Sequence, residues 1–177
     1  MELFILTTEQ VEKAKSYIPL ADKTAFCESN AQMCLDRLQI KVNDDEMPPM
    51  YKENVARKQR FLMTALCKLY LGINIEAEEI DGKPSALATE QSFDWMGENH
   101  IYMQLERMKR DSSVKNKVYD LMNDYYQLDK MFSAEIRGLI EVQNDAVLRQ
   151  QQLMSASMSE LPKLLEQLKE LQTQKKE

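Results

Sequence analysis

Glycine is scarce in this chain of 177 residues, with four in all, and proline is little commoner, with five. Together they leave too few turn residues for a sandwich or barrel of short strands. Three cysteines, Cys27, Cys34 and Cys67, form no framework of pairs. Cys27 and Cys34 stand seven apart, which on one helix is about 10 Å along a shared face and beyond disulfide reach. All three read as small buried hydrophobes of a reducing compartment. His100 is the single histidine and no Cys-x-x-Cys occurs, so no metal centre is expected. No stretch approaches the roughly 20 apolar residues that cross a bilayer. Met1–Thr7 is briefly apolar but has no basic region before it and no cleavage-site pattern. A soluble, cytoplasmic protein without cofactor or membrane partner is the expectation.

Motifs of catalysis are missing as well. No Walker loop, nucleotide-binding glycine fingerprint or nucleophile elbow occurs. The acidic stretch Glu76–Gly82 fails the calcium-loop template, because Gly82 at the invariant glycine would put Ala77 and Ala88 at ligand positions. Glu98 and His100 are two apart, the wrong spacing for paired ligands on one helix face. Cys67 lies in the most apolar helix, where burial dulls a thiol. An enzyme is not expected.

What is present is helix-forming: alanine, leucine, methionine, glutamate, lysine and glutamine dominate. The fold class read from this is all-α, a bundle of about six helices. Thr7 and Gln10 have capping-box spacing ahead of a first helix. Pro19 suits the opening of a second, reaching about Leu38. Residues 39–50 read as loop. A third helix is expected from Tyr51 to Leu71, stopped by Gly72, and a fourth from Glu90 to Arg110, after which Asp111-Ser112-Ser113 caps the next.

That next helix, about 113–143, carries the most informative pattern in the chain. Val114, Val118, Leu121, Tyr125, Leu128, Phe132, Leu139, Val142 and Ala146 recur at alternating steps of four and three, with Glu135 the single exception. Such a repeat specifies lengthwise packing against other helices, and 33 helical residues span roughly 50 Å. Met122, Met131 and Ile136 widen the stripe beyond that of a lone two-stranded coil. Four flanking positions, Lys117, Asp124, Asp129 and Asp145, remain charged. Glu135 reads as a paired or wet-edge charge, or as a residue that sets register or partner choice. Asn144-Asp145 is expected to interrupt the helix. A short leucine-rich helix then starts near Ser159, with Pro162 in its first turn and Leu161, Leu164, Leu165, Leu168 and Leu171 on one side. About 13 residues long, it is not stable alone and must dock on something. The domains expected are 1–143, a helical bundle, and 144–177, a C-terminal helical arm.

The net charge of −6 conceals bands. Lys52, Arg57, Lys58, Arg60 and Lys68 make residues 51–71 basic; Arg107, Lys109, Arg110, Lys115 and Lys117 do the same for 101–118. Antiparallel packing of acidic against basic faces accounts for such banding. Arg57, Lys58 and Arg60 cannot share one helix face, since neighbours point about 100° apart.

The functional expectation is a non-enzymatic helical protein–protein interaction protein, an adaptor, assembly factor or inhibitor of a larger complex, binding a protein partner or itself as a homo-oligomer. Its contact residues are expected among Leu121, Tyr125, Leu128, Phe132, Glu135, Leu139, Leu161, Leu164, Leu168 and Leu171. The alternatives are a nucleic-acid-associated protein using the basic bands at 52–68 and 107–117 (Arg57, Lys58, Arg60, Arg107, Lys109 and Arg110), and an acidic decoy that occupies another protein's nucleic-acid groove.

Overall fold

The structure, a computed structural model, describes residues 4–39, 41–42, 45–46, 49–73, 79–80, 83–84 and 94–174. Those residues are mostly helical, with a long C-terminal helix and small two-stranded pairings added. Contacts group the chain into two compact units. One comprises Met1–Leu35 with Glu53–Arg137, the other Asp36–Lys52 with Gly138–Glu177.

The first unit opens with α1, Thr8–Lys13, and the capping box forms. Thr7 Oγ1 accepts from the Gln10 N–H, and Gln10 Oε1 accepts from the Thr7 N–H. Helix α2, Leu20–Ala31, starts after Pro19 but ends seven residues short of the expected Leu38. A 3₁₀ turn, Gln32–Cys34, follows, and the chain continues as strand β1, Leu35–Leu38. Here tertiary pairing overrides helix propensity: β1 lies beside β4, Met50–Glu53, and the Asn54 N–H donates to the Cys34 carbonyl at 2.6 Å. Residues 39–50, expected as loop, contain strands β2, Lys41–Val42, and β3, Asp45–Glu46, paired antiparallel.

Helix α3, Val55–Ala65, begins four residues later than expected, because Asn54 is its N-cap and accepts from the Arg57 N–H. It runs into a π turn, Leu66–Tyr70, and stops where expected, at Gly72 with φ 63°. Strands β5, Glu79–Ile80, and β6, Lys83–Pro84, form a short antiparallel pair. Most of the acidic stretch 76–82, like the expected start of the fourth helix at 90–93, lies outside the described residues.

The fourth helix is broken at His100, whose φ of 51° is left-handed. Residues 94–98 make one helical piece, and α4, Ile101–Met108, makes the next. A non-glycine residue in that region costs energy, and this one ends the i−4 ladder. Asp111 then accepts from the Ser113 N–H and hydroxyl in the turn before α5, Lys115–Gln174.

Helix α5 runs through both places where an interruption was expected. Asn144-Asp145 stays helical because the Asn144 amide, which could otherwise bond its own backbone, is engaged with Tyr51. Ser159 is not a cap, and Pro162 sits inside the helix. Its lost N–H and ring clash weaken the ladder there without ending it.

Candidate interaction surface

In the first unit the early part of α5 forms the core. Val114, Val118, Leu121, Leu128 and Phe132 are at most 1% exposed, and Tyr125 is buried too. The Phe132 ring meets Phe26 of α2 at 5.1 Å and Phe61 of α3 edge-on at 6.4 Å. The Tyr102 and Tyr126 hydroxyls bond at 2.7 Å and tie α4 to the same helix. Leu121, Tyr125, Leu128 and Phe132, four of the expected partner contacts, therefore already touch this chain's own elements.

The burial does not follow the 3.5-residue repeat to its end. After Phe132 the next fully buried position is Ile136, while Glu135 is only half-buried. A helix packed straight against neighbours follows 3.6 residues per turn and drifts about 20° per heptad from a strict seam. The buried face therefore advances by one residue, and Glu135 slides to its edge.

A buried polar cluster sits beside this core. Asp124, one of the charged flanking positions, is 5% exposed and Lys23 3%. The Lys23 ammonium bonds Asp124 Oδ1, and it lies 5.0 Å from the centre of the Tyr17 ring. Asp124 Oδ2 accepts from the Ile18 N–H and the Tyr70 hydroxyl, each at 2.9 Å. Burial, then the bond to Asp124, raises the Tyr70 pKa well above the ordinary tyrosine value. Both charges are paired and both carboxylate oxygens satisfied, which is what a buried ion pair requires. Its chemistry is structural. Lys23 is the one polar residue on the buried side of α2, but nothing in the linear pattern shows that Asp124 faces it.

The basic bands are partly consumed in the same unit. Lys58 Nζ lies 3.3 Å from Glu53 Oε1 and 3.4 Å from Asp129 Oδ1. Arg57 Nη1 donates to the Met33 carbonyl at 3.2 Å. Lys109 Nζ lies 2.5 Å from Glu106 Oε1. Arg60 is half-buried, while Arg107 and Arg110 are exposed. The three cysteines are buried and free, and burial pushes Cys27 and Cys34 up to about 11 and Cys67 to about 12.

The second unit has a different character. The Tyr51 N–H donates to Asn144 Oδ1 at 2.7 Å, and Asn144 Nδ2 donates back to the Tyr51 carbonyl at 3.1 Å. This two-way bond fixes β4 to α5. The half-buried residues of that stretch are Leu139, Ile140, Gln143, Asn144, Val147 and Gln151, spaced as one helix face. Val142, counted in the original seam, is 69% exposed.

From Gln152 onward every described side chain is exposed. Leu153 is 70% exposed, Met154 57%, Met158 68% and Leu161 52%. Four large apolar groups within nine residues of one helix are an unpartnered surface of the kind that marks interaction sites. No protein-family model, curated protein or solved structure matches this chain. The site is therefore read from its own chemistry. Of the expected contacts, Leu161 lies in this exposed stretch. Leu164, Leu168 and Leu171 follow it on the same helix, with side chains outside the described set. No helix of the described residues is long and apolar enough to cross a membrane.

Proposed function

We propose that this chain is a non-enzymatic protein–protein interaction protein, an adaptor, assembly factor or inhibitor whose docking surface is the late part of α5. In this reading 1–143 is the helical bundle and 144–177 the arm that reaches a partner. The observation that carries it is the exposed apolar run Leu153, Met154, Met158 and Leu161. Helical stability in proteins comes mainly from packing an apolar face rather than from propensity, and an apolar face that meets only water gives up that stabilisation. A partner that covers it supplies the missing burial. Phosphate binding by the basic bands has less support, because Lys58 and Lys109 already engage carboxylates.

Affinity capture from native lysate, with and without nuclease, tests the proposal using the full chain and its Met154→Glu/Leu161→Glu variant. A stoichiometric protein partner, another copy of the chain included, should survive nuclease with the wild type and be lost with the variant. Nucleic acid in the eluate, with proteins lost on digestion, would retire this reading in favour of the basic bands.

A further inference from the structure

We propose that a cavity beside α1 and the π turn binds a small organic phosphate, with Lys13, Lys15 and Lys68 holding its phosphate group. This does not rest on the docking-surface reading, since its residues are different and lie in the first unit. The cavity has a volume of about 650 Å³, within the range of small-molecule sites. Lys13 is the last residue of α1, Lys15 stands two residues further on, and Lys68 belongs to the π turn. Two stretches distant in sequence thus bring three cations to one hollow. Among the described residues no Asp or Glu lines it, although acidic residues outnumber basic ones 29 to 23 in the chain. A cleft lined by one sign of charge concentrates ions of the other.

The backbone fixes where these lysines stand. The Lys15 N–H donates to the Tyr70 carbonyl at 2.8 Å, which ties the segment after α1 to the last residue of the π turn. The Leu71 N–H donates to the Leu66 carbonyl at 3.1 Å, and the Ile73 N–H to the Cys67 carbonyl at 3.0 Å, around left-handed Gly72. A π turn is rare within helices and recurs at functional sites. This one carries Lys68 exposed between buried Cys67 and half-buried Leu69.

The cations are available to a ligand. Among the described residues Lys15 and Lys68 form no ion pair, in contrast to Lys58 of the same basic band as Lys68. Lys13 meets Glu9 in a pair whose side chains are 74% and 73% exposed; such a surface pair is weak and yields to a dianion. The Gln10 side chain engages Thr7 through its oxygen, which leaves its NH2 as a neutral donor at the cavity.

The lining also selects the ligand. Ammonium groups are point charges that suit phosphate oxygens, whereas the fork that matches a planar carboxylate belongs to arginine. A dianion gains more from three cations than a monoanion does. Phe4, Leu69, Leu71 and Ile73 supply an apolar wall for the rest of the molecule, which inorganic phosphate would leave wet.

Titration of the ¹⁵N-labelled full chain with phenyl phosphate, a phosphate joined to an apolar ring, tests this by NMR. The Lys15, Gly72 and Ile73 amides should shift saturably. Binding should be at least about threefold tighter than that of inorganic phosphate, which lacks the ring, or of benzenesulfonate, which is a monoanion. Lys15→Glu/Lys68→Glu should fold normally, because both side chains are exposed and Lys15 is held through its backbone. It should weaken binding by at least about tenfold. Lys115→Glu/Lys130→Glu, the same change of charge on exposed positions of α5, should leave binding intact. Equal loss in both variants would reduce the effect to net charge and overturn the proposal. So would an affinity no greater than that of inorganic phosphate, or no shift up to about 10 mM. Binding to phosphatidic acid vesicles without binding to phenyl phosphate would overturn it in favour of a membrane headgroup. None of these failures touches the docking surface, whose test is partner capture by the late part of α5.

Discussion

Asp124 shows how much of a helical core can rest on a single residue. Its carboxylate neutralises Lys23, fixes the start of α2 through the Ile18 N–H and orients the Tyr70 hydroxyl. Three groups from two stretches that are distant from Asp124 in sequence, Ile18 with Lys23 and Tyr70, converge on its two oxygen atoms. Removing the carboxylate leaves a buried ammonium without its counter-charge, so Asp124→Ala should cost about 3–5 kcal/mol in urea unfolding. Replacing both partners, Lys23→Met with Asp124→Leu, should recover most of that loss, since buried ion pairs contribute little net stability over packed apolar groups. If the double variant proves no more stable than Asp124→Ala, the pair is not the origin of the effect. Linear pattern reasoning missed the pair for a physical reason. A charge at the flank of a stripe does not reveal its partner until the element 101 residues away that covers it is known.

At the scale of elements, what could be read in the sequence was what depends on near neighbours. The Thr7–Gln10 capping box, the stop at Gly72 and the burial of α5 from Val114 to Phe132 all rest on contacts one to four residues apart or on a repeating face. The misreadings share another cause. Leu35–Leu38 became a strand because Met50–Glu53 pairs with it, and Asn144 stayed helical because Tyr51 holds its amide. The candidate surface was half legible: Leu161 was expected there, whereas Leu153, Met154 and Met158 were not, because a helix break was expected before them. Gly138, on the same helix, offers a clean test of that element. An added Cβ meets nothing within 4 Å, so Gly138→Ala should stabilise the helix by about 1 kcal/mol. The denaturation midpoint should rise with an unchanged slope; an unaltered midpoint would mean that the helix is not intact across Gly138 in solution.

For the whole molecule, buried ionisable groups set an alkaline limit. Cys27 and Cys34 ionise near pH 9 when exposed and near 11 when folded, and Cys67 near 12. Raised folded values mean that their contribution to stability is complete below pH 9 and is lost as pH rises through 11 to 12. Tyr70 and Tyr125, also raised, act in the same direction at higher pH. Urea midpoints at pH 8, 9.5 and 10.5 should fall in that order, and a flat series would show that the thiols are not buried in solution. Another consequence follows from the way Phe4 and Leu6 are held. Their N–H groups donate to the side-chain oxygens of Asn99 and Gln104, and the Phe4 carbonyl accepts from the Gln104 amide. A ribosome adding about 5–20 residues per second makes those clamps some 5–20 seconds after Phe4 leaves the peptidyl-transferase centre. Throughout that interval the segment Phe4-Ile5-Leu6 lacks the side chains that hold it in the folded chain.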